Sequence, residues 1–172
     1  MTWVVLTGYM GAGKSSVGRR VASRIGRVFV DADVAIEAHA GLSIPEIFAK
    51  RGEVWFRRTE EDVIRDVLRD DPPGVLALGG GAIENARTRG LVNRTAKVVW
   101  LRVSPEVAWK RVEHSDRPLA RSQERFAQRA LEREPGYREA AHLIVDADEP
   151  LDQIVTRVAD WARRTVIEET AK

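Results

Sequence analysis

The 172-residue chain, 44% hydrophobic and 31% charged, has the length and composition of one folded domain, neither disordered nor membrane-embedded. Its 28 basic and 26 acidic residues nearly cancel to a net charge of +2 and interleave, as in Arg57-Arg58-Thr59-Glu60-Glu61-Asp62, which is the pattern of a solvated helix face and argues against a nucleic-acid partner. Cysteine is absent, which excludes disulfides, thiol chemistry and Cys-ligated metal.

The N-terminal apolar run, Trp3 to Leu6, is too short for a signal peptide or for the roughly 20 apolar residues of a membrane span, so a cytoplasmic address is expected. Trp3–Thr7 reads instead as a first strand. It feeds Gly8-Tyr9-Met10-Gly11-Ala12-Gly13-Lys14-Ser15, a match to G-x-x-x-x-G-K-[ST]. Val17, Val21 and Ile25 then recur at four-residue spacing, which predicts a helix opening at the end of this loop. The chemistry explains the residue types. Glycines let the backbone wrap phosphate oxygens and point successive N–H groups at them, and the helix N-terminus adds partial positive charge. Lys14 is expected to reach the β- and γ-phosphates, and the Ser15 hydroxyl to ligate Mg²⁺. With glycine near 7% of residues, these four fixed positions match by chance in well under about 1% of chains this size.

Further along, Val28–Asp31, Val75–Leu78, Lys97–Val103 and His142–Val145 read as short strands buried on both faces. Helix patterns lie between them. Ser43-Ile44-Pro45-Glu46 reads as a helix start with Ser43 as N-cap and Glu46 closing a capping box. Ile64, Val67 and Leu68 share one helix face. Strand and helix alternate five times, which predicts a single-domain, three-layer α/β/α sandwich around a five-stranded parallel sheet. In such sheets ligands bind beyond the carboxyl ends of the strands, where Asp31-Ala32-Asp33 and Gly79-Gly80-Gly81 follow strands two and three. Asp71-Pro72-Pro73-Gly74 spells D-x-x-G, but it precedes strand three, on the wrong edge of the sheet for magnesium. No N-K-x-D guanine-recognition motif occurs.

Taken together, Gly8–Ser15, Asp31–Asp33, Phe56–Glu61, Leu78–Gly81, Arg117–Leu119 and Arg133–Tyr137 spell a P-loop, D-x-D, F-R-R-x-E-E, L-G-G-G, R-P-L and R-x-P-x-Y. In order and spacing this set resembles the shikimate kinases along essentially the whole chain. The resemblance implies a P-loop NTPase fold of the nucleoside monophosphate kinase type. It implies ATP and Mg²⁺ as cofactors and phosphorylation of the shikimate 3-hydroxyl, a step of aromatic amino-acid (chorismate) biosynthesis. It also implies the roles. Asp33 would be the base or orienting carboxylate for the attacking hydroxyl, and Asp31 would hold Mg²⁺ with Ser15. Gly11, Ala12, Gly13, Lys14, Ser15 and Ser16 would hold the phosphates. Arg57 and Arg133 would clamp the substrate carboxylate bidentately, with Glu60 or Glu61 fixing the Arg57 rotamer. Gly79, Gly80 and Gly81 would bring backbone N–H groups to the substrate. Arg117 would ride a mobile lid, about 112–124, across from a substrate-binding region, about 32–61. Lys110 or Arg111 would face the adenine on one side and Pro150 on the other.

Chemistry alone does not single out Arg57 and Arg133 from 23 arginines, and either aspartate by itself could be only a helix cap. The rivals are a different small-molecule kinase, such as a gluconate kinase, and a non-catalytic nucleotide-binding switch. Neither is expected to carry the D-x-D, F-R-R and G-G-G set together. His39, His114 and His142 lack metal-ligand spacing. A monomer is expected, because no long heptad or exposed apolar stripe is visible.

Overall fold

In a computed structural model, residues 2–113 and 122–167 are described. The five strands are β1 (Trp3–Thr7), β2 (Phe29–Asp31), β3 (Val75–Ala77), β4 (Ala96–Arg102) and β5 (Leu143–Asp146). They form one parallel sheet in the order β2-β3-β1-β4-β5. Crossover helices connect them, α1 (Lys14–Ile25), α2 (Ala32–Ala40), α3 (Ile44–Val67), α4 (Ala86–Thr95), α5 (Pro105–Val112) and α6 (Gln123–Ala140), and α7 (Leu151–Ala162) follows the last strand. Every strand foreseen from the apolar runs is present, each within a residue or two of the expected ends.

Side chains of β1 alternate between two cores, because a strand has a side-chain period of two. Val4 and Leu6 pack with Val17 and Val21 of α1 and with Ile154, Val155 and Val158 of α7. Trp3 and Val5 face the other way, onto Ile64 of α3, Val92 of α4 and Phe126 and Tyr137 of α6. All five β1 residues are therefore buried, which is why the strand reads as an unbroken apolar run. A third, smaller cluster of Ile36, Ile47, Phe56 and Val63 joins α2 to α3 apart from the sheet.

Local signals agree with this architecture. Ser43 is the N-cap of α3, and the Glu46 carboxylate accepts from its N–H at 3.0 Å and its hydroxyl at 2.8 Å. Inside α3 the backbone breaks at Gly52 (φ 81°, ψ 170°), so this element is two helical segments joined at an angle. Gly74 accepts from Val4 N–H at the amino end of the sheet, so the D-x-x-G match lies opposite the phosphate loop. Trp3 and Trp100 are core residues, while Trp55, Trp109 and Trp161 are half-buried. Among the described residues no helix is long and apolar enough to cross a membrane.

Candidate active site

The loop between β1 and α1 is built by close backbone approach. A Cβ at Gly8 would lie 2.5 Å from the Leu101 carbonyl oxygen, and one at Gly11 would lie 2.7 Å from the Ala108 oxygen. Both glycines also hold positive φ, of 145° and 83°. Only glycine meets both demands. Gly13 occupies the N-cap of α1 with no side-chain cap, which leaves first-turn N–H groups available to an anion. Lys14 Nζ donates to the carbonyls of Gly8 (2.8 Å) and Tyr9 (3.1 Å), so the ammonium is held against the loop. Ala12 is buried beneath it, and Ser16 is exposed on the first turn of α1.

Ser15 lies next to the end of β2. Its hydroxyl donates to Asp31 Oδ2 at 2.5 Å, while Asp31 Oδ1 accepts from the Asp33 N–H at 3.1 Å and caps α2. Capping and proximity to the phosphate loop are thus both properties of Asp31. Asp33 is not on the strand with Asp31: β2 ends at Asp31, and Asp33 sits in the first turn of α2. A carboxylate and a hydroxyl are hard oxygen donors beside a phosphate loop. Among the described residues no group of three or more His, Cys, Asp or Glu could form a closed cage. That donor set fits Mg²⁺, which keeps waters and phosphate oxygens in its shell.

Charged side chains from three helices converge on the glycines after β3. A Cβ on Gly79 would meet Asp33 Oδ1 at 2.8 Å and Glu60 Oε1 at 3.1 Å; on Gly81 it would meet Arg57 Nη2 at 2.7 Å. On Gly80 it would lie 3.8 Å from Arg133 Nη1 and 3.5 Å from the Met10 nitrogen of the phosphate loop. Asp33, Arg57 and Arg133 therefore surround one short backbone segment next to the phosphate loop.

Each arginine is held by a carboxylate. Glu60, 2% exposed, accepts from Arg57 Nη1 at 2.7 Å, and Glu53 lies 3.6 Å from Arg57 Nε. Burial raises the Glu60 pKa; the Arg57 guanidinium works against that and favours the ion pair. Glu61 instead accepts from the Asn85 amide at 3.1 Å, so of the two candidates Glu60 is the partner. Arg133 is buried, with Nη2 2.8 Å from Glu84 and its guanidinium over the Tyr9 ring at 5.5 Å. Glu84 also binds Arg129 at 3.1 Å. Arg133 Nε is buried with no hydrogen-bond partner among the described residues. Such a donor suits an incoming anion, since leaving it unpaired is costly.

Glu84 was not anticipated. It belongs to no motif, and its partners lie 45 and 49 positions away. At the nucleotide end, Lys110 and Pro150 are both exposed, on the last turn of α5 and at the start of α7. Arg111 is the residue tied to both loops there, donating to the carbonyls of Gly11 (2.9 Å) and Ala147 (3.0 Å). Arg117 and His114 lie outside the described residues.

The chain as a whole is similar to known proteins. The family model for shikimate kinase matches residues 10–163. A shikimate kinase of Caulobacter vibrioides is 48% identical over 151 residues, covering 86% of this chain and 75% of the relative. One of Bradyrhizobium diazoefficiens is 44% identical over 172 residues, covering 98% and 83%. Among solved structures, the shikimate kinase of Acinetobacter baumannii in complex with shikimate superposes with a TM-score of 0.85 at 34% identity, covering 100% of this chain and 96% of that one. A sugar kinase from Janibacter shares the fold alone, at 18% identity and a TM-score of 0.63.

Proposed function

We infer that the chain, which belongs to the shikimate kinase family, transfers the γ-phosphoryl group of ATP to the 3-hydroxyl of shikimate, giving shikimate 3-phosphate and ADP. The observation that carries the mechanism is the convergence of Asp33, Arg57 and Arg133 around Gly79–Gly81, beside the phosphate loop. Phosphoryl transfer asks the protein mostly for positioning and charge stabilisation, and the two halves of this cleft divide that work.

Gly11, Ala12, Gly13, Ser15 and Ser16 cradle the phosphates, and Lys14 swings from the loop carbonyls to the β- and γ-oxygens, where it offsets the charge that develops on transfer. Ser15 and Asp31, already paired, are the side chains that would hold Mg²⁺ with its water shell. When bound, the ion neutralises phosphate charge. Asp33 faces the acceptor, aligning the hydroxyl and accepting its proton as the O–P bond forms. Arg57 and Arg133 grip the shikimate carboxylate from two sides, and the unpaired Nε of Arg133 is one donor for it. Glu60 and Glu84 keep those guanidinium groups in place.

Arg117, outside the described residues, is the side chain that would bring further positive charge to the transferring group, as the family resemblance implies. Residues 32–61 act as the substrate-binding region of this single kinase domain, supported by the separate apolar cluster that joins α2 to α3. For the adenine, the contacts of Arg111 with Gly11 and Ala147 favour Arg111 over Lys110, with Pro150 opposite. The same reading makes the enzyme a cytoplasmic monomer, and sedimentation of the purified protein tests the second part.

The deciding experiment is acceptor-dependent ADP release with Mg-ATP, comparing shikimate, gluconate, quinate and no acceptor. Stimulation by shikimate alone is expected. Equal turnover without an acceptor would reduce the chain to a nucleotide hydrolase, and stimulation by gluconate would redirect the substrate assignment.

A further inference from the structure

Two consecutive glycines form the corner of the loop after β3. The Gly79 carbonyl accepts from Ala82 N–H at 3.1 Å, and Gly81 has φ −101° and ψ −6°. These are the marks of a type I turn with Gly80 and Gly81 at its two central positions. A Gly-Gly corner does not choose this form unaided. The type II turn differs chiefly by a flip of the central peptide and puts the second residue near φ +80°, which glycine favours. In the flip, Gly80 C=O and Gly81 N–H exchange sides, because a trans peptide holds them antiparallel.

Tyr137 stands against that flip. Its hydroxyl donates to the Gly80 carbonyl at 2.5 Å, and the residue is 3% exposed. The ring is stacked on Trp100 with centroids 5.9 Å apart and planes at 29°, so it has little freedom to follow a moving carbonyl. Burial holds the phenol well above its ordinary pKa, which keeps the hydroxyl a donor. One turn earlier on α6 stands Arg133, which reaches the same glycine. Clamp and carbonyl anchor therefore come from the same helix, on either side of Pro135.

We propose that Tyr137 is a positioning residue for the acceptor: by holding the Gly80 carbonyl toward α6 it keeps the Gly81 N–H turned the opposite way, toward shikimate. The inference rests on the reading of Gly79–Gly81 as a substrate loop. Tyr137 acts through that loop, so its loss alters shikimate binding and leaves the nucleotide end as it was.

Tyr137→Phe tests this: it keeps the ring and its stacking and deletes the hydroxyl, which donates to Gly80 and also meets Arg133, so the Gly81 amide is read beside KM. The expected result is a shikimate KM raised about tenfold, with ATP KM unchanged and a thermal midpoint lowered by no more than the few degrees that one buried hydrogen bond is worth. An unchanged shikimate KM overturns the proposal. So does an equal rise in both KM values with a lower midpoint, which makes Tyr137 a packing residue only. The Gly81 amide resonance in ¹⁵N-labelled protein separates the two levels of inference. A shift on adding shikimate to wild type that is lost or weakened in the variant supports the proposal. The same shift kept in full by the variant overturns the role of Tyr137 alone. No response in wild type removes the substrate-loop reading and this proposal with it.

Discussion

The two ends of the cleft are made of different material. At the phosphate end, eight consecutive residues, Gly8–Ser15, do most of the work with backbone N–H groups, tight glycine contacts and a helix N-terminus. At the acceptor end, the backbone segment Gly79–Gly81 is surrounded by side chains drawn from α2, α3 and α6, from Asp33 to Arg133, and both arginines are braced by a carboxylate. A backbone site binds a group that many proteins share. A side-chain site distinguishes one acceptor from another, because a bidentate guanidinium grip rewards one carboxylate geometry. The difference also predicts robustness. The phosphate end fails when local backbone geometry fails, whereas the acceptor end can lose one brace and weaken only in proportion.

Four substitutions probe that contrast. The largest effect is expected from Asp33→Asn: kcat should fall about 10³- to 10⁴-fold, the upper range for a proton-accepting group, while nucleotide affinity measured by titration stays within about threefold. Wild-type turnover would remove Asp33 from the chemistry. Lys14→Met should lower kcat about 10²- to 10³-fold and raise ATP KM as well, because the lysine touches both ground and transition states. A pure shikimate effect would contradict the assignment of this end to the nucleotide. Arg133→Ala should raise shikimate KM about a hundredfold and leave ATP KM nearly constant, the cost of removing one charged partner from a buried grip. Equal effects on both substrates would erase the division between the ends. The smallest change should come from Glu84→Gln, about tenfold on shikimate KM with kcat preserved, since Arg133 keeps its charge and loses only its brace. If Glu84→Gln proved as damaging as Arg133→Ala, positioning rather than charge would dominate the clamp.

Legibility in the sequence followed the same division. The five strands, the single parallel sheet and the phosphate loop were readable because each rests on a contiguous pattern: apolar runs of four to seven residues, glycines at fixed spacing, a helix opening on Lys14. The capping box Ser43–Glu46 was readable for the same reason. Arg57 and Arg133 were chosen only through the family resemblance, because a helix arginine that grips a substrate looks like one that faces water. Glu84 had no signal, and Tyr137, though it closes the R-x-P-x-Y motif, gave no sign of its Gly80 partner, since each contact is made by a residue brought near through the sheet order β2-β3-β1-β4-β5.

What the amino-acid order determined by itself is what short-range sterics and periodicity dictate. That covers where strands and helices form, where only glycine fits, and that a phosphate-loop motif lies beyond β1. What only the tertiary structure decided is which of many charged side chains meet at Gly79–Gly81 and which carboxylate holds each arginine. It also decided that a buried phenol meets the Gly80 carbonyl. Those choices depend on distances between helices that pack on the same face of the sheet, and long-range packing leaves no periodic trace in a single chain.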